Sequence, residues 1–164
     1  THLVDIRKGF EPRAEELAKK YALAPYTMFI GSGALWGETI LFSMCILEEM
    51  QWKRTRYITS ADFFHGTLEL VEPGVPVFLF MGEDENRKLD ERVRAFLTRG
   101  VTGDTDINII DTAEFAIPGL DDEFRVIVSP WILSSLITDR LAAYYETVTK
   151  HNLNYRRYYH QFDY

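Results

Sequence analysis

The sequence predicts an α/β fold, a three-layer α/β/α sandwich of flavodoxin-like type with a parallel sheet at its centre. Three observations predict it. Short apolar runs rich in aromatic and β-branched residues recur at 26–30, 75–81 and 106–110, as do strands buried on both faces of a parallel sheet. Segments of helical period alternate with them, such as 87–99, which turns Leu89, Val93, Phe96 and Leu97 to one side and stops at Gly100. The first run ends at Gly31-Ser32-Gly33 and leads directly into a long apolar segment, the strand–turn–helix step of alternating folds.

Taken in order, residues 11–23 form an amphipathic helix, with Ala14, Leu17, Ala18 and Tyr21 at helical spacing and Arg13, Glu15, Glu16, Lys19 and Lys20 outward. Ala24-Pro25 ends it, because a residue before proline disfavours helix. After the strand at 26–30, the helix at 36–51 is apolar almost all round, which implies cover by the sheet and by another helix or another chain. Residues 56–59 read as a second strand. Pro73-Gly74 marks a turn before the third, 75–81. The charged helix 87–99 follows, then a fourth strand at 106–110 and a short fifth at 113–117. Residues 122–150 are helical with an interruption near Pro130. The tail, 151–164, crowds Tyr155, Arg156, Arg157, Tyr158, Tyr159, His160, Phe162 and Tyr164 without period; a surface that sticky lies across the domain or reaches a partner.

Composition narrows the function. The chain has 164 residues, 46% of them hydrophobic, enough for one sizeable core and a single domain at 1–164. Its net charge of −7 and lack of a long basic run argue against a nucleic-acid surface. The single cysteine, Cys45, rules out an internal disulfide and reads as a packed core thiol. No uninterrupted apolar stretch of membrane-spanning length and no opening signal peptide are read here, so the expectation is a soluble cytoplasmic protein without membrane contact. No metal or cofactor is expected.

In a parallel sheet, ligands gather at the carboxyl ends of the strands. That rule places Gly31-Ser32-Gly33, the segment 60–65 and the loop 82–86 on one rim. The glycine turn opens a helix whose free N–H groups suit an anion, and it serves equally well as a plain tight turn. Gly31, Ser32, Gly33, Trp36 and Ser60 are the candidate substrate-binding residues. Glu48 and Glu49 sit in the last turn of the 36–51 helix, where negative charge opposes the helix dipole. They are either solvated end residues or residues kept for chemistry. His65, between Phe64 and Gly66, reads on its own as a core histidine.

Three pieces tip the balance: Gly31-Ser32-Gly33, the run Cys45-Ile46-Leu47-Glu48-Glu49-Met50-Gln51-Trp52, and Phe63-Phe64-His65-Gly66. With the terminal Arg156-Arg157-Tyr158, they resemble a sugar isomerase (SIS) domain, most closely the second SIS domain of the fructosamine and fructoselysine 6-phosphate deglycases. The resemblance runs from about Tyr26 to Tyr164. It implies that Glu49 moves a proton between C1 and C2 of an open-chain phosphorylated sugar, and that His65, sixteen residues on, assists ring opening. Such chemistry needs an acid/base pair. Ala61-Asp62, Thr67 and Gln161 depart from the family pattern. So does the loop 82–86, where Glu83, Asp84 and Glu85 stand in place of a serine/threonine-rich phosphate cradle and would repel a phosphate. The resemblance therefore implies the C-terminal half of a two-domain enzyme, with a homodimer and a preceding SIS domain that supplies the phosphate site. An aldose–ketose isomerase or a glucosamine 6-phosphate synthase-type isomerase domain fits the same Glu/His pair, and a non-catalytic sugar-phosphate-binding module is the third reading.

Overall fold

A computed structural model describes residues 2–100 and 102–163. Helix α1 (His2–Tyr21) leads into strand β1 (Tyr26–Gly31), a turn of 3₁₀ helix, and α2 (Trp36–Ile40). Without a break, α2 widens into a π-helical segment, Leu41–Met50. Strand β2 (Arg54–Ile58), the short α3 (Ser60–Phe63), β3 (Val77–Met81), α4 (Arg87–Thr98) and β4 (Ile107–Asp111) follow. The chain closes with α5 (Asp122–Ser134), a second π-helical segment (Ser135–Leu141) and α6 (Ala142–Thr149).

The four strands pair in the order β2-β1-β3-β4, all parallel, with Phe29 beside Tyr57 and Phe78, and Phe80 beside Ile110. Alternation along the strands divides the core. Phe29, Phe78, Phe80 and Ile110 face α1, the long α2 helix and α5–α6. Met28, Ile30, Val77, Leu79 and Met81 face the other layer, where Phe63, Val93 and Leu97 of α3 and α4 meet them. The central aromatic rings pack closely, Phe29 stacked on Phe78 at 5.2 Å and edge-on to Phe42 at 5.5 Å. The three-layer sandwich is therefore the observed fold.

Several elements differ from expectation for local reasons. Helix α1 starts well before residue 11 and carries Pro12 inside it. The strand expected from residue 75 begins at Val77; Pro76 has no N–H to donate, and only its carbonyl reaches the sheet, accepting from Met28 N at 2.9 Å. The expected fifth strand at 113–117 is instead a 3₁₀ turn, Thr112–Phe115. There Asp111 accepts from Ala113 N at 3.0 Å and Thr112 Oγ1 donates to Met81 O at 3.2 Å, so side chains bend the backbone out of the sheet. Pro130 does not interrupt its helix. The Val126 carbonyl that loses its usual donor is instead served by Ser129 Oγ at 3.1 Å, and the irregularity comes later, in the π-helical turn.

The joined helix Asp122–Thr149 is also long and apolar enough, by length and composition, to cross a membrane. That corrects the expectation that no such stretch exists. In this fold it is a core helix: Ile132, Leu133, Leu136, Ile137 and Leu141 are buried against the sheet layer.

Candidate functional site

The carboxyl rim is where the strand order reverses, between β1 and β3. Three of the loops expected there do meet. Ser32 Oγ, just past β1, accepts from Ser60 N at 2.7 Å, and Ser60 Oγ donates to Asp90 Oδ1 at 2.5 Å. Asp90 Oδ2 accepts from Gly82 N at 3.2 Å. Ser32, Ser60 and Asp90 are all buried. The result is an internal brace that ties the ends of β1, β2 and β3 to α4. Burial pushes the Asp90 carboxyl up to about 6, against the lowering effect of its bonds to Ser60 and Gly82.

The glycine turn is filled as well. Asp84 Oδ2 accepts from Ala34 N at 2.5 Å, and its other oxygen accepts from Asn86 N at 2.7 Å. The chain's own carboxylate thus occupies the place where a helix opening would hold an anion. Gly33 makes this possible: its φ is +54°, and a Cβ there would lie 2.1 Å from Asp84 Oδ2. Gly31 is tight in another way, since a Cβ would meet Thr39 Oγ1 at 2.2 Å. Of the other acids here, Glu83 and nearby Asp111 are paired, while Glu85 is exposed. Glu83 meets Arg125 Nε at 2.7 Å, and Asp111 meets Arg87 at 2.6 Å, which holds the Asp111 carboxyl below the usual carboxylate range despite its burial. Substituting Gly33→Ala is expected to lower stability by about 2–3 kcal/mol, from the left-handed backbone and the Asp84 overlap together. An unchanged denaturant midpoint would show that the turn tolerates a side chain.

His65 stands on the same rim but outside this brace. Thr59 caps α3 by accepting from Asp62 N at 3.0 Å. Phe63 and Phe64 then anchor it by edge-to-face contacts with Phe96 of α4 at 5.7 and 5.8 Å. Gly66, at φ +139°, turns the chain away. The double phenylalanine is therefore packing, and it leaves His65 exposed to solvent rather than in the core.

Glu49 lies at the opposite edge. The π-helical segment runs back along the sheet and ends at the amino end of β2. Gln51 is buried and clamps that end to the last helix, donating to His151 O at 2.6 Å and accepting from Thr149 Oγ1 at 2.7 Å. Trp52 follows in a left-handed conformation, φ 55°, and turns outward. Over this corner the tail folds back. Arg157 lies on the Trp52 ring at 4.3 Å, and the His151 ring meets it edge-on at 4.3 Å. Arg156 Nε donates to Glu49 Oε1 at 2.9 Å while its Nη1 donates to the Leu153 and Tyr155 carbonyls. Glu48 turns to Thr55, accepting from its hydroxyl at 2.5 Å. Between helix end and tail, with Lys53 and Tyr158 among its walls, is an open cleft of about 520 Å³. A cleft of this size, with aromatic walls and a few fixed charges, has the make-up of a small-molecule site.

The structure thus brings Ser32 and Ser60 together, and sets Gly31 and Gly33 beside them. Trp36 lies apart, tilted against Tyr57 at 6.1 Å. Glu49 and His65 are not brought together within the chain: β2 alone holds their ends about 13 Å apart, at ~3.3 Å per residue. Cys45 is half-buried, and burial, with Glu49 and Glu48 nearby, pushes its thiol up, away from nucleophile behaviour. Among the described residues, no group of three His, Cys, Asp or Glu side chains could hold a metal ion. Sequence reasoning missed Asp90, and it singled out Arg156 only within the terminal motif, not as the partner of Glu49. A lone aspartate on the apolar side of α4, one residue after Leu89, was the available signal for the first.

No protein-family model matches the chain. It is 30% identical over 148 residues, 88% of its length, to the fructosamine deglycase of Bacillus subtilis strain 168. It is 30% identical over 96% of its length to the fructoselysine 6-phosphate deglycase of Escherichia coli K12. The chain spans 43% of the length of each of these curated relatives. Among solved structures, a Bacillus subtilis protein assigned to the phosphosugar isomerases superposes with a TM-score of 0.90 at 27% identity, covering 99% of this chain and 48% of that one.

Proposed function

We propose, for a chain homologous to the fructosamine and fructoselysine 6-phosphate deglycases, that it is the C-terminal SIS domain of an enzyme of that activity. The enzyme converts a 6-phosphofructosamine to glucose 6-phosphate and a free amine. The observation that carries the reading is identity with deglycases along nearly the whole chain, with Glu49 held by Arg156 in an open cleft. Glu49 takes a proton from C1 of the open-chain ketosamine and returns it at C2, which turns the C2 ketone into a hydroxyl and the C1 amine into an imine. Water adds to the imine carbon and the amine leaves. His65 handles the ring oxygen. Because it lies far from Glu49 in its own chain, it does so for the site of a second copy in a homodimer. The Asp84-filled glycine turn supports a phosphate cradle supplied by a preceding SIS domain. Substrate and enzyme meet in the cytoplasm.

The test is to assay the full-length protein on a panel of 6-phosphofructosamines, following glucose 6-phosphate and amine release together. Stoichiometric release of both is expected. Interconversion of aldose and ketose phosphates with no amine release would replace this reading with that of a simple isomerase.

A further inference from the structure

The chain carries a net charge of −7, yet the cleft beside Glu49 has the opposite sign. Four cations, Lys53, Arg54, Arg156 and Arg157, line it against two carboxylates, Glu48 and Glu49. Both carboxylates are already engaged, Glu48 by Thr55 and Glu49 by Arg156. Arg156 is engaged through Nε by Glu49 and through Nη1 by two backbone carbonyls. Among the described residues, neither Lys53 nor Arg157 has a carboxylate within ion-pair distance.

An unpaired cation that has lost part of its water is unfavourable unless something else meets it. Lys53 is in that position: it is half-buried, and burial pushes its ammonium below the usual lysine value. The Arg157 guanidinium carbon lies over the Trp52 ring at 4.3 Å. This cation–π contact holds the guanidinium at the cleft wall, where its N–H fork can grip two oxygens at once. Trp52 itself sits in a backbone conformation that non-glycine residues adopt rarely, and that conformation carries its ring into the cleft wall.

We infer that Lys53 and Arg157 form an oxyanion subsite beside Glu49, which takes a carboxylate or phosphate group of the sugar derivative. The ligand class rests on the deglycase reading, but the subsite itself does not. If the group is a carboxylate, the subsite selects substrates whose amine is an amino acid. If it is the phosphate, the subsite anchors the sugar end.

The test is a calorimetric titration of the full-length protein with inorganic phosphate and, separately, with succinate. Lys53→Met and Arg157→Gln are compared with wild type, with Arg157→Lys retaining the charge without the fork. One of the two anions is expected to bind about tenfold more weakly to each of the first two variants, with Arg157→Lys in between. The KM values distinguish the sources. A rise for the lysine adduct alone, and not for the propylamine adduct, marks the amine's carboxylate; an equal rise for both marks the phosphate. If wild type and variants of matching melting temperature bind both anions alike, the subsite does not exist, whatever the enzyme turns over. If the anion is bound as expected but no phosphofructosamine is consumed, the subsite stands and the deglycase reading falls.

Discussion

Glu49→Gln in the full-length protein is expected to lower turnover about 10²–10⁴-fold, the usual contribution of a general acid/base, with the fold intact. The carboxamide keeps the shape, and its carbonyl can still accept from Arg156 Nε, but it cannot carry the proton between the two carbons. From the helix dipole alone, removing this charge would stabilise the protein. The structure changes that expectation, because Arg156 meets Glu49 at 2.9 Å and offsets the dipole. Both side chains keep partial solvent access, so losing the ion pair costs about 1 kcal/mol or less. Glu48→Gln is expected to be far milder, since Glu48 is turned to Thr55. Measuring kcat and melting temperature for both variants decides the matter. Equal losses of activity, or an unfolded Glu49→Gln, would remove Glu49 from the proton-transfer role.

The largest stability effect is expected at Asp90. Asp90→Ala strands the Ser60 hydroxyl and the Gly82 N–H in a buried place. At about 1–3 kcal/mol per stranded group, the loss should reach roughly 2–4 kcal/mol. Asp90→Asn should be mild, because an amide can donate to Ser60 Oγ and accept from Gly82 N, as the protonated acid does. The two variants also separate in pH dependence. A carboxyl raised from 3.8 to about 6 in the fold binds its proton more tightly folded than unfolded. Its contribution to stability is therefore greatest at low pH, falls as pH rises from about 4 to about 6, and is level above that. Asp90→Asn should flatten this stretch of the stability profile. An alanine tolerated as well as the asparagine would show that the brace is dispensable.

Much of the fold was legible because its signals are local. The continuous apolar runs, the glycine turn after β1 and the amphipathic α4 each carry their structure in their own residues. What was not legible depends on side-chain hydrogen bonds, near and far, that composition and period do not show. Residues 113–117 look like a strand until Asp111 and Thr112 are seen to bend the backbone, and Pro130 looks like a break until Ser129 is seen serving the orphaned carbonyl. The site divides in the same way. The helix-end position fits Glu48 as well as Glu49, and only the resemblance to a SIS domain singled out Glu49, whereas its partner Arg156 comes from a tail with no period to place it. Ser32 and Ser60 were correctly placed at one rim, but their partner proved to be Asp90 rather than an open face, because a hydroxyl near a glycine turn looks the same in sequence whether it faces a ligand or the interior.

The carboxylate of Asp84 in the glycine turn acts as a tethered competitor. Any dissolved anion that would use the Ala34 N–H must displace a group that is covalently attached and already oriented by Asn86. Short tethers give effective concentrations of at least the millimolar order, and adding salt does not dilute a group joined to the same chain. The turn is thus saturated before any solute arrives, and changes in free phosphate around the protein go unregistered there. The corner where the tail crosses the end of the long helix holds no such tethered competitor for Lys53 and Arg157 among the described residues.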